Sequence, residues 1–215
     1  MKASHLVTGV MALTFSLAAS ADFTEGFNNV PGLASAGWIQ TNTGTAPTNP
    51  WFQGNSGVFA AQAGPADSYA GADFLSSASG DINNWLISPT LILNNASVLS
   101  FYARSAGTSG FADVLDVAFS AGNGSGLGGF TVLGTIGGAS PYPTEWTQFS
   151  FALPDVATGR IAFHQRGNFD TADYQGVDSV NVTLAQAVPE PETYAMLAFG
   201  LAGLALLRRR RGRIG

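Results

Sequence analysis

The chain has 215 residues, no cysteine, nine lysines and arginines against fourteen aspartates and glutamates, and a formal net charge of −5. Without a thiol there is no disulfide framework and no thiolate nucleophile or metal ligand. Between residues 22 and 187 only Arg104, Arg160 and Arg166 stand against twelve carboxylates, and that net −9 surface repels phosphate backbones and anionic lipid, which argues against nucleic acid as a partner.

At the start of the chain, Lys2 precedes an apolar stretch around Leu6–Leu17 and then Ala19-Ser20-Ala21. A basic residue, a short apolar run and small residues at the cut predict a secretory signal peptide over residues 1–21, handled by the export machinery. The next 166 residues, 22–187, are enough for one domain with a real core. Short runs of Val, Ile, Leu, Phe and Trp alternate there with period two, separated by Gly, Ser, Thr and Asn. Leu99, Phe101 and Ala103 share one face, and Thr147, Phe149, Phe151 and Leu153 share another. Further strands are predicted at Trp85–Ser88, Val114–Ser120, Phe130–Ile136, Gly159–His164 and Gly176–Leu184, and no stretch of twelve residues reads as an amphipathic helix. The pattern predicts an all-β antiparallel sandwich of the jelly-roll type.

Residues 188–215 have three parts: Val188-Pro189-Glu190-Pro191, an apolar run at 194–207, and a cluster of Arg208, Arg209, Arg210, Arg211 and Arg213. The two prolines keep Glu190 in an extended, helix-free segment suited to a processing enzyme. Fourteen apolar residues reach roughly 21 Å as a helix, short of the roughly 30 Å hydrocarbon layer, so a single marginal membrane helix suited to temporary residence is predicted. The arginines would hold its far end in the cytoplasm, with the domain outside.

The three-part tail resembles the PEP-CTERM sorting signal of Gram-negative bacteria. That resemblance implies handover to an exosortase, a membrane protease-transferase acting near Pro-Glu-Pro, in cells that make an extracellular polysaccharide matrix. Phe23–Trp38, Ile82–Leu93 and Gly176–Thr183, with Asn84-Trp85-Leu86-Ile87-Ser88-Pro89 the most specific piece, are similar to the choice-of-anchor J domain, related to cleaved adhesins. This second resemblance implies a jelly-roll sandwich displayed on bacterial surfaces, with no settled activity.

The motifs that suggest chemistry are weak. Gly124–Gly129 matches G-x-G-x-x-G, but a strand followed by Gly137, Gly138, Pro141 and Pro143 replaces the helix a pyrophosphate needs, so a hairpin is expected. His164 is the one histidine of residues 22–187 and is expected to face solvent, without a nucleophile-elbow motif to serve. No catalytic residue is assigned, and the chain reads as a non-enzyme. Asp178 shares its predicted strand face with Val180, Val182 and Leu184, and an inward carboxylate must be hydrogen-bonded or bind a cation. Ca²⁺ is the candidate cofactor, with Asp178, Asp81 and Asp173 as candidate ligands and Asp67, Asp73, Asn83 and Asp170 in nearby loops. The alternative is that Asp178 accepts backbone amides. Trp38 and Trp85 are expected in the core. Trp51 and Trp146, near loop ends, are the candidates for stacking on sugar rings.

These features predict an exported, non-enzymatic surface or matrix protein, membrane-anchored transiently and then released to the cell surface or beyond. The alternative is a carbohydrate-binding module that holds extracellular polysaccharide, and less favoured still is a polysaccharide hydrolase.

Overall fold

The computed structural model describes residues 23–94, 96–184 and 199–201. The signal peptide 1–21, the sorting motif Val188–Pro191 and the arginines 208–213 lie outside the described residues, as does the predicted membrane helix except for its helical residues 199–201. Among the described residues no helix is long and apolar enough to cross a membrane.

Among the described residues twelve strands build two six-stranded antiparallel sheets, a β-sandwich as the alternation predicts. The first sheet runs β10 (Thr147–Ala152), β7 (Val98–Ser105), β12 (Tyr174–Thr183), β4 (Ala70–Asp73), β3 (Phe52–Gln53), with β1 (Phe23–Glu25) also on β12. The second runs β2 (Ile39–Asn42), β5 (Asp81–Ile87), β11 (Thr158–Asn168), β8 (Val114–Ala121), β9 (Thr131–Gly137), with β6 (Leu91–Ile92) on β11. Leu99, Phe101 and Ala103 point inward from β7, and Leu115, Val117, Phe119, Ile161 and Phe163 face them from β8 and β11. Phe101 meets Phe163 across the interface with ring centres 4.9 Å apart in an edge-on arrangement, and burial of these large apolar surfaces holds the sheets together.

β12 departs from the expected alternation. Its pairing with β7 runs Val177 to Ala103 and Asp178 to Tyr102, then resumes only at Asn181 with Ser100, so Ser179 and Val180 together oppose Phe101. Ser179 has φ +52°, and the extra residue of this β-bulge flips the pleat. Val180 and Val182 therefore face the core, while Asp178 lies on the outer face beside Tyr102. The expectation that Asp178 points inward with those valines is corrected by the bulge. Gly124–Gly129 precedes strand β9 through one short 3₁₀ turn, Leu127–Gly129, in keeping with a hairpin.

The strand directions separate two ends. β1 enters opposite Val182, and β12 leaves at Thr183, so both connections to the terminal segments lie at one end. At the other end, beyond Ser105, Gly137 and Tyr174, lie the loops 106–113, 138–146 and 169–173. The ten residues of β12 put roughly 30 Å between the two ends.

Candidate functional site

The loop end opposite the termini carries an open cleft of about 460 Å³. Two glycines set its walls. Gly137 (φ +84°) turns the chain out of β9 where a Cβ would stand 2.1 Å from the Asp113 carbonyl oxygen. Gly107 (φ +73°) lets the 106–113 loop lie against Thr144, whose Cγ2 would be 2.5 Å from a Cβ there. A side chain at either position would push the two loops apart.

Asp113 and Asp173 line this cleft with Thr108, Phe111, Ser140 and Tyr142. The Asp173 amide donates to Asp113 Oδ1 at 2.9 Å, and the Thr108 amide donates to Asp173 Oδ2 at 2.7 Å. No described hydrogen bond reaches Asp113 Oδ2 or Asp173 Oδ1. Burial, with a smaller push from the Asp173 charge, raises the Asp113 carboxyl to about 7 against a partial offset from its amide donor. Tyr142 is buried and its hydroxyl has no partner; burial first and the Asp113 charge second push that hydroxyl well above its ordinary pKa. No lysine, arginine or histidine lines the cleft.

Asp178 has an opposite environment. Its Oδ2 accepts from the Gln62 amide at 2.9 Å and the Ala63 amide at 3.2 Å, and its Oδ1 from the Ser179 amide at 2.5 Å. Burial raises its pKa in spite of these three donors. It thus anchors the 54–68 loop over the first sheet. The other candidate calcium ligands lie apart from it. Asp173 opens β12 at the loop end, and Asp81 opens β5 in the second sheet, where it accepts weakly from Asn168 at 3.5 Å. Among the described residues no three His, Cys, Asp or Glu side chains gather as a metal would require.

Trp51, expected at a ligand face, is 1% exposed inside the main core, and its indole N–H donates to the Asn84 carbonyl at 3.3 Å. That candidate is corrected: at 1% exposure the ring leaves almost no surface for a sugar. Trp146 is half-buried, donates to the Ala60 carbonyl at 2.8 Å, and packs edge-on against Phe59 and Tyr69 on the outer face of the first sheet. Trp38 is in the main core, as expected, and Trp85 is buried in a second cluster on the outer face of the second sheet.

His164 does not face solvent. It stacks on Trp85 at 3.9 Å between ring centres, its side chain 12% exposed. Desolvation lowers its pKa to about 4, outweighing the pull of Asp116, so the ring is neutral near pH 7 and its 3.6 Å approach to Asp116 is no ion pair. Asp116 is paired instead with Arg166 at 2.6 Å and accepts from the Thr135 hydroxyl at 2.6 Å.

The cleft residues Asp113, Phe111 and Tyr142 were not among the sequence candidates. They come from two loops about 30 positions apart, and only the glycine and proline punctuation at Gly107, Gly110, Gly137, Gly138, Pro141 and Pro143 marks those loops in the sequence.

Residues 187–211 match the PEP-CTERM protein-sorting motif. The chain thus carries this sorting signal, the mark of an exported protein. No curated protein matches the chain. Its sandwich is similar to solved cleaved adhesin domains of Lys-gingipain from Porphyromonas gingivalis W83. The K1 domain is 22% identical with a TM-score of 0.58, covering 77% of this chain and 99% of that one. The K3 domain is 19% identical with a TM-score of 0.57, covering 77% and 100%. At such identities the likeness shows the fold alone.

Proposed function

We propose that this chain is an exported, non-enzymatic β-sandwich that an exosortase receives through Val188-Pro189-Glu190-Pro191 and delivers to the cell surface or extracellular matrix of a Gram-negative bacterium. The observation that carries the reading is the sorting motif at 187–211, directly behind the last strand of a closed domain. β12 ends on the side of the sandwich opposite the cleft. His164, stacked on Trp85 with its side chain 12% exposed, is largely closed off from a substrate, which supports a non-enzymatic role.

The test is fractionation of the producing cells with and without their exosortase. The expected result is a protein shortened near Pro-Glu-Pro outside the inner membrane, and an uncut form retained in that membrane when the exosortase is deleted. Full-length protein in the cytoplasm of cells with intact export would end the reading. Incubating the purified protein with the producer's matrix should release no new reducing ends.

A second reading, that the domain holds extracellular polysaccharide, is favoured by the open polar cleft at the loop end.

A further inference from the structure

The loop-end cleft gathers unused bonding capacity at an open face; the other buried polar atoms without a protein partner among the described residues, Asn84 Oδ1, Arg104 Nε, His164 Nε2 and both Gln175 amide atoms, do not line it. Asp178 is covered by amides, Asp116 by Arg166 and Thr135, and the polar core residue Gln165 by Ser76, Asn84 and the Asp73 carbonyl. At the cleft, Asp113 and Asp173 each spend one oxygen on a backbone amide, and Tyr142, 8% exposed, holds an unpartnered hydroxyl beside Asp113. Buried polar groups of folded proteins are satisfied by protein, water or ligand, so a concentration of unspent capacity in one cleft indicates a ligand.

The chemistry of the lining narrows the ligand. All three arginines of the sandwich are engaged elsewhere: Arg104 over the Phe59 ring, Arg160 on the Ser88 carbonyl, Arg166 on Asp116. An anionic ligand would therefore meet carboxylates with no counter-charge. A cation needs acceptors only, whereas the exposed Thr108 and Ser140 hydroxyls add groups that both donate and accept, as a hydroxyl-bearing ligand requires. Phe111, 47% exposed at the same cleft, adds an apolar face of the kind that covers the C–H side of a sugar ring.

We propose that the cleft between loops 106–113 and 138–144 binds neutral polysaccharide, with Asp113 Oδ2 and Asp173 Oδ1 accepting hydrogen bonds from its hydroxyls and Phe111 packing on its ring. The proposal rests on the second reading above and gives that reading a place and a ligand class. It moves the binding face from Trp51 and Trp146, neither of which lines the cleft, to Asp113, Asp173 and Phe111.

The test is affinity electrophoresis of the exported protein purified from its producer, in gels containing dextran, mannan, β-1,4-galactan or the producer's own polysaccharide. Alginate and poly-lysine gels serve as the anionic and cationic arms. Retardation by at least one neutral polymer and none by alginate is expected. Asp173→Asn and Phe111→Ala should each weaken retardation about tenfold, the loss of one good contact, while Trp146→Ala should not. Circular dichroism melts establish that the variants remain folded, and Phe111→Ala, at an exposed position, keeps the test valid if an aspartate variant is destabilised. Neutral polymer retarding all variants alike would overturn the cleft while leaving the polysaccharide reading standing. Absence of retardation by every neutral polymer would overturn both. Retardation by poly-lysine alone, lost in Asp173→Asn, would make the ligand cationic and overturn the ligand class.

Discussion

Asp178 and Asp113 are both buried carboxylates in a domain with three arginines, yet they sit in opposite surroundings. Asp178 accepts three backbone amides and fastens a long loop to the first sheet. Asp113 accepts one amide, in a cleft at the sandwich end, and keeps one oxygen free of protein donors. The difference shows that burial does not by itself assign a carboxylate its role; the number of donors already reaching it does. A saturated carboxylate is structural, and an unsaturated one beside open space is available to a ligand.

The largest effect should come from breaking the saturated member. Asp178→Ala leaves the Gln62, Ala63 and Ser179 amides without their acceptor, and should cost about 3–5 kcal/mol in denaturant unfolding. A loss below about 1 kcal/mol would mean that the 54–68 loop is held by its other contacts.

The unsaturated member should respond in the other direction. The folded pKa of Asp113, about 7, lies above the ordinary 3.8, so the folded state binds the proton more tightly. Its contribution is present in full below about pH 4 and is lost as pH rises through about 7. Asp113→Asn does not titrate, so it should be more stable than the parent by about 2–4 kcal/mol at pH 8, with the difference vanishing near pH 4. Melting temperatures across that range, expected to differ by roughly 4–10 °C at pH 8, check it.

His164 extends the contrast to the second sheet with the opposite sign. Its folded pKa, about 4, lies below 6.5, so its stabilising contribution is present above pH 6.5 and is lost as pH falls toward 4. His164→Phe, which keeps a ring against Trp85, should flatten that acid-side loss by about 1–3 kcal/mol in the same melts.

The smallest effect concerns calcium. If amides satisfy Asp178, melts in EDTA, calcium and magnesium should agree to within about 1 °C; a rise of about 5–10 °C with calcium alone would instead put a cation at that carboxylate.

Much of the sandwich is legible in the chain. β7 declares itself because one of its faces is buried and the other is not, which prints strict alternation at Val98–Ser105, and Phe149 and Phe151 mark the inner side of β10. The short strands β1 to β4 are not visible in this way, since runs of two to four residues carry too little pattern to set a period. Alternation points Asp178 inward for a related reason: it assumes an unbroken pleat, and nothing in Asp178-Ser179-Val180 announces the bulge that Ser179 makes.

By itself, then, the sequence determined the address and the fold class of this protein. The sorting motif at 187–211 is contiguous, and period-two patterning is local, so both can be read along the chain. Tertiary structure alone decided which polar groups are spent and which are free. Asp178 is saturated by amides more than a hundred positions away, and Trp51 is enclosed by strands on both sheets. Asp113, Phe111, Tyr142 and Asp173 meet only because three loops end at the same edge of the sandwich. Hydrogen-bond satisfaction and enclosure depend on distance in space, and distance along the chain does not encode it.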